Sequence, residues 1–267
     1  MDTGSETITI TIDLKVPKGW EQLDEKQLRY VFGLIAHGFA MQQIKTYCLF
    51  RWSGMEVMHK YGTRWWCKLG KDEFLLTIAQ VNAAVKSLDW LDTLPATPLR
   101  IQRIGKYRAV AADFQEVPFE TFIICDNLYQ GYLVTKQDEI LDQMAVHLYG
   151  SPNVKPCAKE RVCIFYWFAS LKEMFARQFK HFFQPITADN GGNMIGQEKS
   201  QYELLNESVN AQIRALTKGD VTKEKEVLAI DTWRALTELD ALAKEYDEFH
   251  CCPVKMMTRY KTHSKIC

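Results

Sequence analysis

The residues of this sequence best suited to chemistry crowd its end, HCCPVKMMTRYKTHSKIC, where His250, Cys251, Cys252, His263 and Cys267 are all zinc-type donors. Zinc takes four such donors in a tetrahedron, and donors two to four residues apart reach one ion without strain. Cys251 and Cys252 are adjacent and point apart in any regular element, while His263 and Cys267 could pair. The expectation is incidental thiols with no metal. The same tail carries Lys255, Arg259, Lys261 and Lys265 with no carboxylate after Glu248, a pattern that suits a phosphate backbone or an acidic protein face. The plainer reading is a solubilising terminus. Met256 and Met257 are candidates for contact with a partner.

Elsewhere the chemistry is sparse. RIGKYR places Arg103, Lys106 and Arg108 around a single glycine, but one glycine makes no phosphate cradle, and neither a P-loop nor a dinucleotide fingerprint occurs. These three cations, with Arg100, are the nucleic-acid candidates outside the tail. His37, His59, His147 and His181 stand singly, without an HExxH pair, and read as surface or satisfied core imidazoles. No GxSxG elbow supplies a serine nucleophile. Cys125 precedes Asp126, whose charge raises a thiol pKa and so disfavours nucleophilic activation. Asp138, Glu139, Glu238 and Asp240 fall on helix faces expected to be solvated. No cofactor and no enzymatic activity are expected. Two aromatic clusters remain, Trp65-Trp66 and Phe165 to Phe168. The second reads as core. Adjacent residues of a strand face opposite sides, so one of Trp65 and Trp66 is expected to be an exposed anchor for a protein partner.

The elements that must carry these residues can be read from length, composition and period. The chain has 267 residues, 47% of them hydrophobic, which provides for a sizeable core, and its 33 basic and 33 acidic residues cancel. No long-range field draws the whole chain onto nucleic acid or an anionic membrane. No apolar run is long enough to span a bilayer, and the acidic, polar opening MDTGSETITI argues against a secretory signal, so a cytoplasmic protein with mostly buried, reduced thiols is expected. TITITIDL alternates with the period of a half-buried strand and could complete a small sheet. Asp24 and Gln27 have capping-box spacing ahead of a helix whose inward face is Leu28, Val31, Phe32 and Ile35, and a second helix follows Gly38. Residues 56–61 and 64–69 read as a hairpin. A helix is expected from Asp72 to about Leu91, a strand in LRIQRIGKYRAV, and helices over 117–133 and 136–149. KPCAKERVCIFYWFASLKEMFARQFKHFF is apolar around most of its circumference, as a central helix must be. QPITADNGGNMIGQEKS has the composition of a linker or mobile loop. Beyond it, QYELLNESVNAQIRALTKG and KEKEVLAIDTWRALTELDALAKEYDEF read as a helical hairpin turned at Gly219 and Asp220. The fold class is therefore α+β, predominantly helical, with a small antiparallel sheet near the N-terminus and a C-terminal helical hairpin. The domains expected are 1–183, a linker 184–200, a hairpin 201–252 and a basic tail 253–267.

Two stretches, ITIDLKVPKGWEQLDEKQLRYVFGLIA with IKTYCLFRWSG and the late DTWRALTELDALAKEYDEF, resemble proteins encoded in prophages and mobile elements of gut Bacteroidetes, often within virion-assembly gene clusters. The resemblance covers about a quarter of the chain and transfers no site residues. It implies a tail or head assembly factor or a minor virion component, working in the host cytoplasm or incorporated in a virion, with phage or host proteins or a second copy as partners. The alternatives are a nucleic-acid-binding accessory protein that uses the basic tail with the Arg100 to Arg108 cluster, and an enzyme whose site is assembled from distant segments.

Overall fold

The computed structural model describes residues 14–183 and 201–250, apart from the side chains of 201–206 and 250. The chain divides between Pro95 and Ala96 into two compact units, with the helices on either side of 184–200 in the same second unit.

In the first unit, a 3-10 turn at Trp20–Gln22 leads into α1 (Glu25–Ala36). Its capping box forms as the spacing predicts: the Gln27 N–H donates to Asp24 Oδ1 at 2.7 Å, and the Asp24 N–H donates to Gln27 Oε1 at 3.0 Å. Leu28, Val31 and Phe32 are buried against α2 (Met41–Ser53), whose own inward face is Ile44, Cys48 and Leu49. Trp20 closes this layer, its indole N–H donating to the carbonyls of Trp90 and Thr93 at 3.2 and 2.8 Å.

The antiparallel sheet follows, β1 (Glu56–Tyr61), β2 (Arg64–Leu69) and β3 (Asp72–Thr77), in that spatial order. Its two turns begin with Gly62 and Gly70 at φ 58° and 62°, the Gly-first pattern that suits two-residue hairpin loops. β3 corrects the expected helix over residues 72–91. Phe74 and Ile78, four residues apart, fit either period, and pairing with β2 selects the extended one before Thr77 caps α3 (Ile78–Val85) through Oγ1, which accepts the Gln80 N–H at 3.3 Å. Of TITITIDL, expected to complete this sheet, Leu14 lies outside any strand and the rest lies outside the described residues. A 3-10 stretch, Lys86–Asp92, then brings Asp89 and Asp92 to the buried Lys45 ammonium at 2.7 and 2.5 Å.

The second unit opens with irregular backbone interrupted by a small hairpin, β4 (Arg103–Ile104) and β5 (Tyr107–Arg108), where one longer strand was expected. Its helices are α4 (Phe119–Thr135), α5 (Asp138–Leu148), α6 (Ala158–Gln178), α7 (Gln201–Thr217), α8 (Glu224–Ala229) and α9 (Thr232–His250). As its pattern predicts, α6 is the centre: Trp167, Phe168 and Phe175 are almost fully buried, and Phe122 of α4 meets Phe168 and Phe175 at ring distances of 6.2 and 5.5 Å.

The last helix was expected to run unbroken from Lys223, but it is interrupted at Ile230 and Asp231. There the backbone turns extended and bonds the chain ahead of α4, the Phe119 N–H donating to Ile230 O and the Thr232 N–H to Val117 O, both at 2.9 Å. Asp231 then restarts the helix by accepting the Arg234 N–H at 3.2 Å. The protein is thus α+β and mostly helical, with a small antiparallel sheet near its N-terminus and helices at its C-terminus. Among the described residues no helix is long and apolar enough to cross a membrane.

Candidate functional site

Two surfaces stand out, one in each unit. In the second unit, residues 96–118 lack long elements and yet are held firmly. Irregular backbone leaves carbonyls without ladder partners, and burying them unpaired would be costly. Side chains of three helical elements supply the donors. Tyr149 Oη donates to Ile101 O, Trp167 Nε1 to Ala112 O and Trp233 Nε1 to Asp113 O, each at 2.7 Å. Ile101, Ile104, Phe114 and Val117 are buried as apolar anchors. Phe114 and Glu116 hold φ of 62° and 57°, a left-handed conformation that non-glycine residues keep only when their surroundings impose it.

This anchored segment presents the β4–β5 hairpin. Ile104 and Tyr107 face each other on one side, with Ile104 buried, while Arg103 and Arg108 stand opposite each other and exposed on the other. The Ala109 N–H donates to Gln102 O at 3.0 Å, which makes the Arg103/Arg108 position the non-hydrogen-bonded one, where opposed side chains lie closest. Lys106 sits in the turn with its ammonium 5.5 Å from the Tyr107 ring centre. Arg100 is half-buried, and its Nε has no hydrogen-bond partner. Burial lowers its pKa, and the Arg108 charge adds to that against opposing effects of Tyr149 and Asp113.

In the first unit, the sheet separates the two adjacent tryptophans. Trp65 faces α2, with its ring 5.3 Å from Phe50, while Trp66 lies on the outer face and is 39% exposed. Pairing aligns His59, Trp66 and Leu75 in one row across the outer face. Glu56, Lys68 and Glu73 form the row on one side, and Tyr61, Arg64 and Thr77 the row on the other. Tyr61 and Leu75 are 54% and 50% exposed, as is the bulge residue Met58 to a similar degree. The sequence singled out Trp65 and Trp66, one of them as the exposed anchor, but not Tyr61, Leu75 or Met58 as contacts, since their shared face exists only once the register is known. On the inner side, a groove of about 460 Å³ runs between α2 and the sheet, lined by Tyr47, Phe50, Val57, Lys60 and Trp65 among others.

Neither unit assembles a reactive group among the described residues. A cleft of about 780 Å³ between α4, α6, α7 and α9 contains Asp126 and Lys172, and these pair with each other. Ser208, also lining it, accepts a hydrogen bond from the Gln212 side-chain amide at 3.3 Å. Cys48, Cys67, Cys125 and Cys163 are buried and Cys157 is exposed. Burial pushes the Cys48 thiol up to about 12, and burial with the Asp126 charge raises Cys125 further, so neither is a thiolate at neutral pH. His37 Nδ1 lies 2.6 Å from Gly33 O within its own helix end. Asp240, expected on a solvated face, instead accepts the N–H groups of His181 and Phe182 at 2.8 and 2.9 Å and so fixes the chain after α6.

No three His, Cys, Asp or Glu side chains converge on a metal site among the described residues. Cys251, Cys252, Lys255, Met256, Met257, Arg259, Lys261, His263, Lys265 and Cys267 lie outside them, and His250 is described only as the last residue of α9. Comparisons of the chain with family models, with curated proteins and with solved structures return no match.

Proposed function

We propose that the protein is a non-enzymatic interaction protein whose outer sheet face seats another protein. One observation carries this reading: the row His59, Trp66, Leu75 is exposed and lies between two rows that bear charge. An apolar centre led by tryptophan, with a polar rim, is the anatomy of a contact hot spot. The rim is also polarised, with Arg64 on one side and two glutamates flanking Lys68 on the other. The fitting partner is a folded protein with an apolar patch, acidic on the Arg64 side and basic on the Glu56 and Glu73 side. In the phage setting that the sequence resemblance implies, such a partner is a head or tail component, and this chain acts in the host cytoplasm as an assembly factor or stays in the virion.

Affinity capture of the tagged full chain from induced cells tests the reading. A head or tail protein should be retained by the wild type and by Tyr47→Ser, whose site is the inner groove, and lost with Trp66→Ser combined with Leu75→Ser. Retention of the same proteins by all three overturns it.

A further inference from the structure

The groove on the inner side of the first unit's sheet borders an open strand edge. Among the described residues β1 pairs with β2 alone, and all six of its residues are exposed. Tyr61 and Arg64 flank a two-residue loop, so theirs is a hydrogen-bonded pair and the next one, Lys60 with Trp65, is not. Lys60 therefore turns its main-chain N–H and C=O away from β2, toward the open edge. Val57 and Lys60 of this same strand line the groove of about 460 Å³, with Trp65 beside them and Tyr47 and Phe50 on the α2 wall. Tyr47 is 45% and Val57 48% exposed, so apolar area is left in water next to unpaired main-chain groups. Gln43 and Thr46 also line the groove, but their side chains are engaged within α2. Gln43 Oε1 accepts the Ala40 N–H at 3.1 Å, and Thr46 Oγ1 donates to Gln42 O at 2.7 Å. Lys60 is the only charged side chain among the described lining residues, and it forms no ion pair with any described residue.

We propose that the β1 edge and this groove bind an extended segment of another protein by strand addition, its main chain pairing with β1 and its alternate side chains entering the groove. In this mode main-chain hydrogen bonds give affinity and side-chain pockets give specificity. Successive side chains of a strand point to opposite faces, so every second residue of the segment meets the groove. The segment that fits is apolar at those positions, to cover Tyr47, Phe50 and Trp65, and carries one carboxylate among them for the Lys60 ammonium. The open edge selects an extended chain over a helix, whose main-chain groups are already paired along its length. Met58 is the extra residue of a bulge, and a bulge with a lysine is a device by which edge strands avoid indiscriminate pairing. A second β1 edge would bring its own bulge and its own Lys60, so the partner is a different chain whose carboxylate answers the lysine. The row of His59, Trp66 and Leu75 lies on the opposite face of the sheet, which makes the two surfaces separable by mutation.

The test is selection from a phage-displayed library of random octapeptides on the immobilised full chain, followed by fluorescence anisotropy with the labelled peptides that it enriches. Wild type should enrich peptides with apolar residues at alternate positions and an aspartate or glutamate within that set. Lys60→Glu should enrich a lysine or arginine there instead. Tyr47→Ser should weaken the wild-type peptide by ~10-fold or more, as for a residue central to a contact, while Trp66→Ser combined with Leu75→Ser should leave its affinity unchanged. Tyr47 and Lys60 are exposed, so loss of binding is not loss of fold. N-methylation of alternate peptide nitrogens should abolish binding for one of the two alternating sets and spare the other, since only one set faces β1. The Lys60 amide should exchange its hydrogen rapidly in the free chain and slowly with peptide bound. Four results overturn the proposal: no enrichment; a carboxylate still selected by Lys60→Glu; tolerance of N-methylation at every position, which leaves a groove ligand without strand pairing; or a Lys60 amide already protected in the free chain. Such protection would assign the edge to another segment of this chain, or to a second copy if it grows with protein concentration.

Discussion

The sheet of the first unit and the anchored segment of the second use the same residue type in opposite ways. On the sheet, the Trp66 indole N–H reaches the exposed Glu73 carboxylate at 3.2 Å, and its ring is left partly in water. Under the anchored segment, Trp167 and Trp233 give their N–H groups to main-chain carbonyls, and the Trp167 ring is buried to 1%. The difference teaches that a tryptophan's role follows the partner of its single polar atom. Bonded to an orphan backbone carbonyl it fixes structure, and bonded to a solvated side chain it remains available to another molecule.

The sharpest way to break this contrast is truncation on both sides. Trp167→Ala should destabilise the protein by about 3–5 kcal/mol, as expected for a large aromatic lost from a core. Trp167→Phe should cost about 1–3 kcal/mol through the unpaired Ala112 carbonyl. Trp66→Ala should stay within about 0.5 kcal/mol of wild type. Urea unfolding checks all three, and a Trp66→Ala cost near that of Trp167→Ala would erase the distinction.

A second test concerns the first unit's own interior. Burial alone would lower the Lys45 pKa, but its hydrogen bonds to Asp89 and Asp92 and their charges outweigh that and raise it. A raised folded pKa means that the stabilisation is complete below the ordinary lysine value of about 10.4 and is lost as pH climbs through the folded one. Lys45→Met should therefore lower stability by about 1.5–3 kcal/mol at neutral pH, the range for hydrogen bonds to charged groups, and the gap from wild type should close only above about pH 10. A gap that closes between pH 5 and 8 would refute the assignment.

Smaller effects sharpen the picture of the anchored segment. Thr232 is fully buried and its Oγ1 donates to Val117 O at 2.7 Å, so Thr232→Val should cost about 1 kcal/mol by thermal melting. Glu116→Gly should instead raise stability by a few tenths of a kcal/mol. It relieves about 1–2 kcal/mol of left-handed strain at the expense of about 0.5–1 kcal/mol of chain entropy. Destabilisation by this change would show that the Glu116 side chain itself holds the segment.

Much of this was legible in the sequence where the governing interactions are local. Asp24 and Gln27 are three residues apart, and the β1–β2 turn lies between its own strands, so period and spacing suffice for both. The separation of Trp65 from Trp66 follows from strand geometry alone. β3 was not legible, because Asp72–Thr77 satisfies either period and the neighbouring strand decides. The break at Ile230 was not legible either, its partners Val117 and Phe119 lying more than a hundred residues earlier. For the candidate site, Arg103, Lys106 and Arg108 are visible as a basic cluster, but not their arrangement as an opposed pair above buried Ile104.

By itself, then, the amino-acid order determined the capped helix α1, the β1–β2 hairpin, the central place of the aromatic helix α6, and the nearness of the cations between Arg100 and Arg108. Caps, turns and apolar period act within a few residues, so each is written where it works. Only the tertiary structure decided which tryptophan stays at the surface and that residues 96–118 are held in one shape. The donors Tyr149, Trp167 and Trp233 stand 48 to 120 residues from the carbonyls they satisfy, and a hydrogen bond across that separation exists only after the helices have packed.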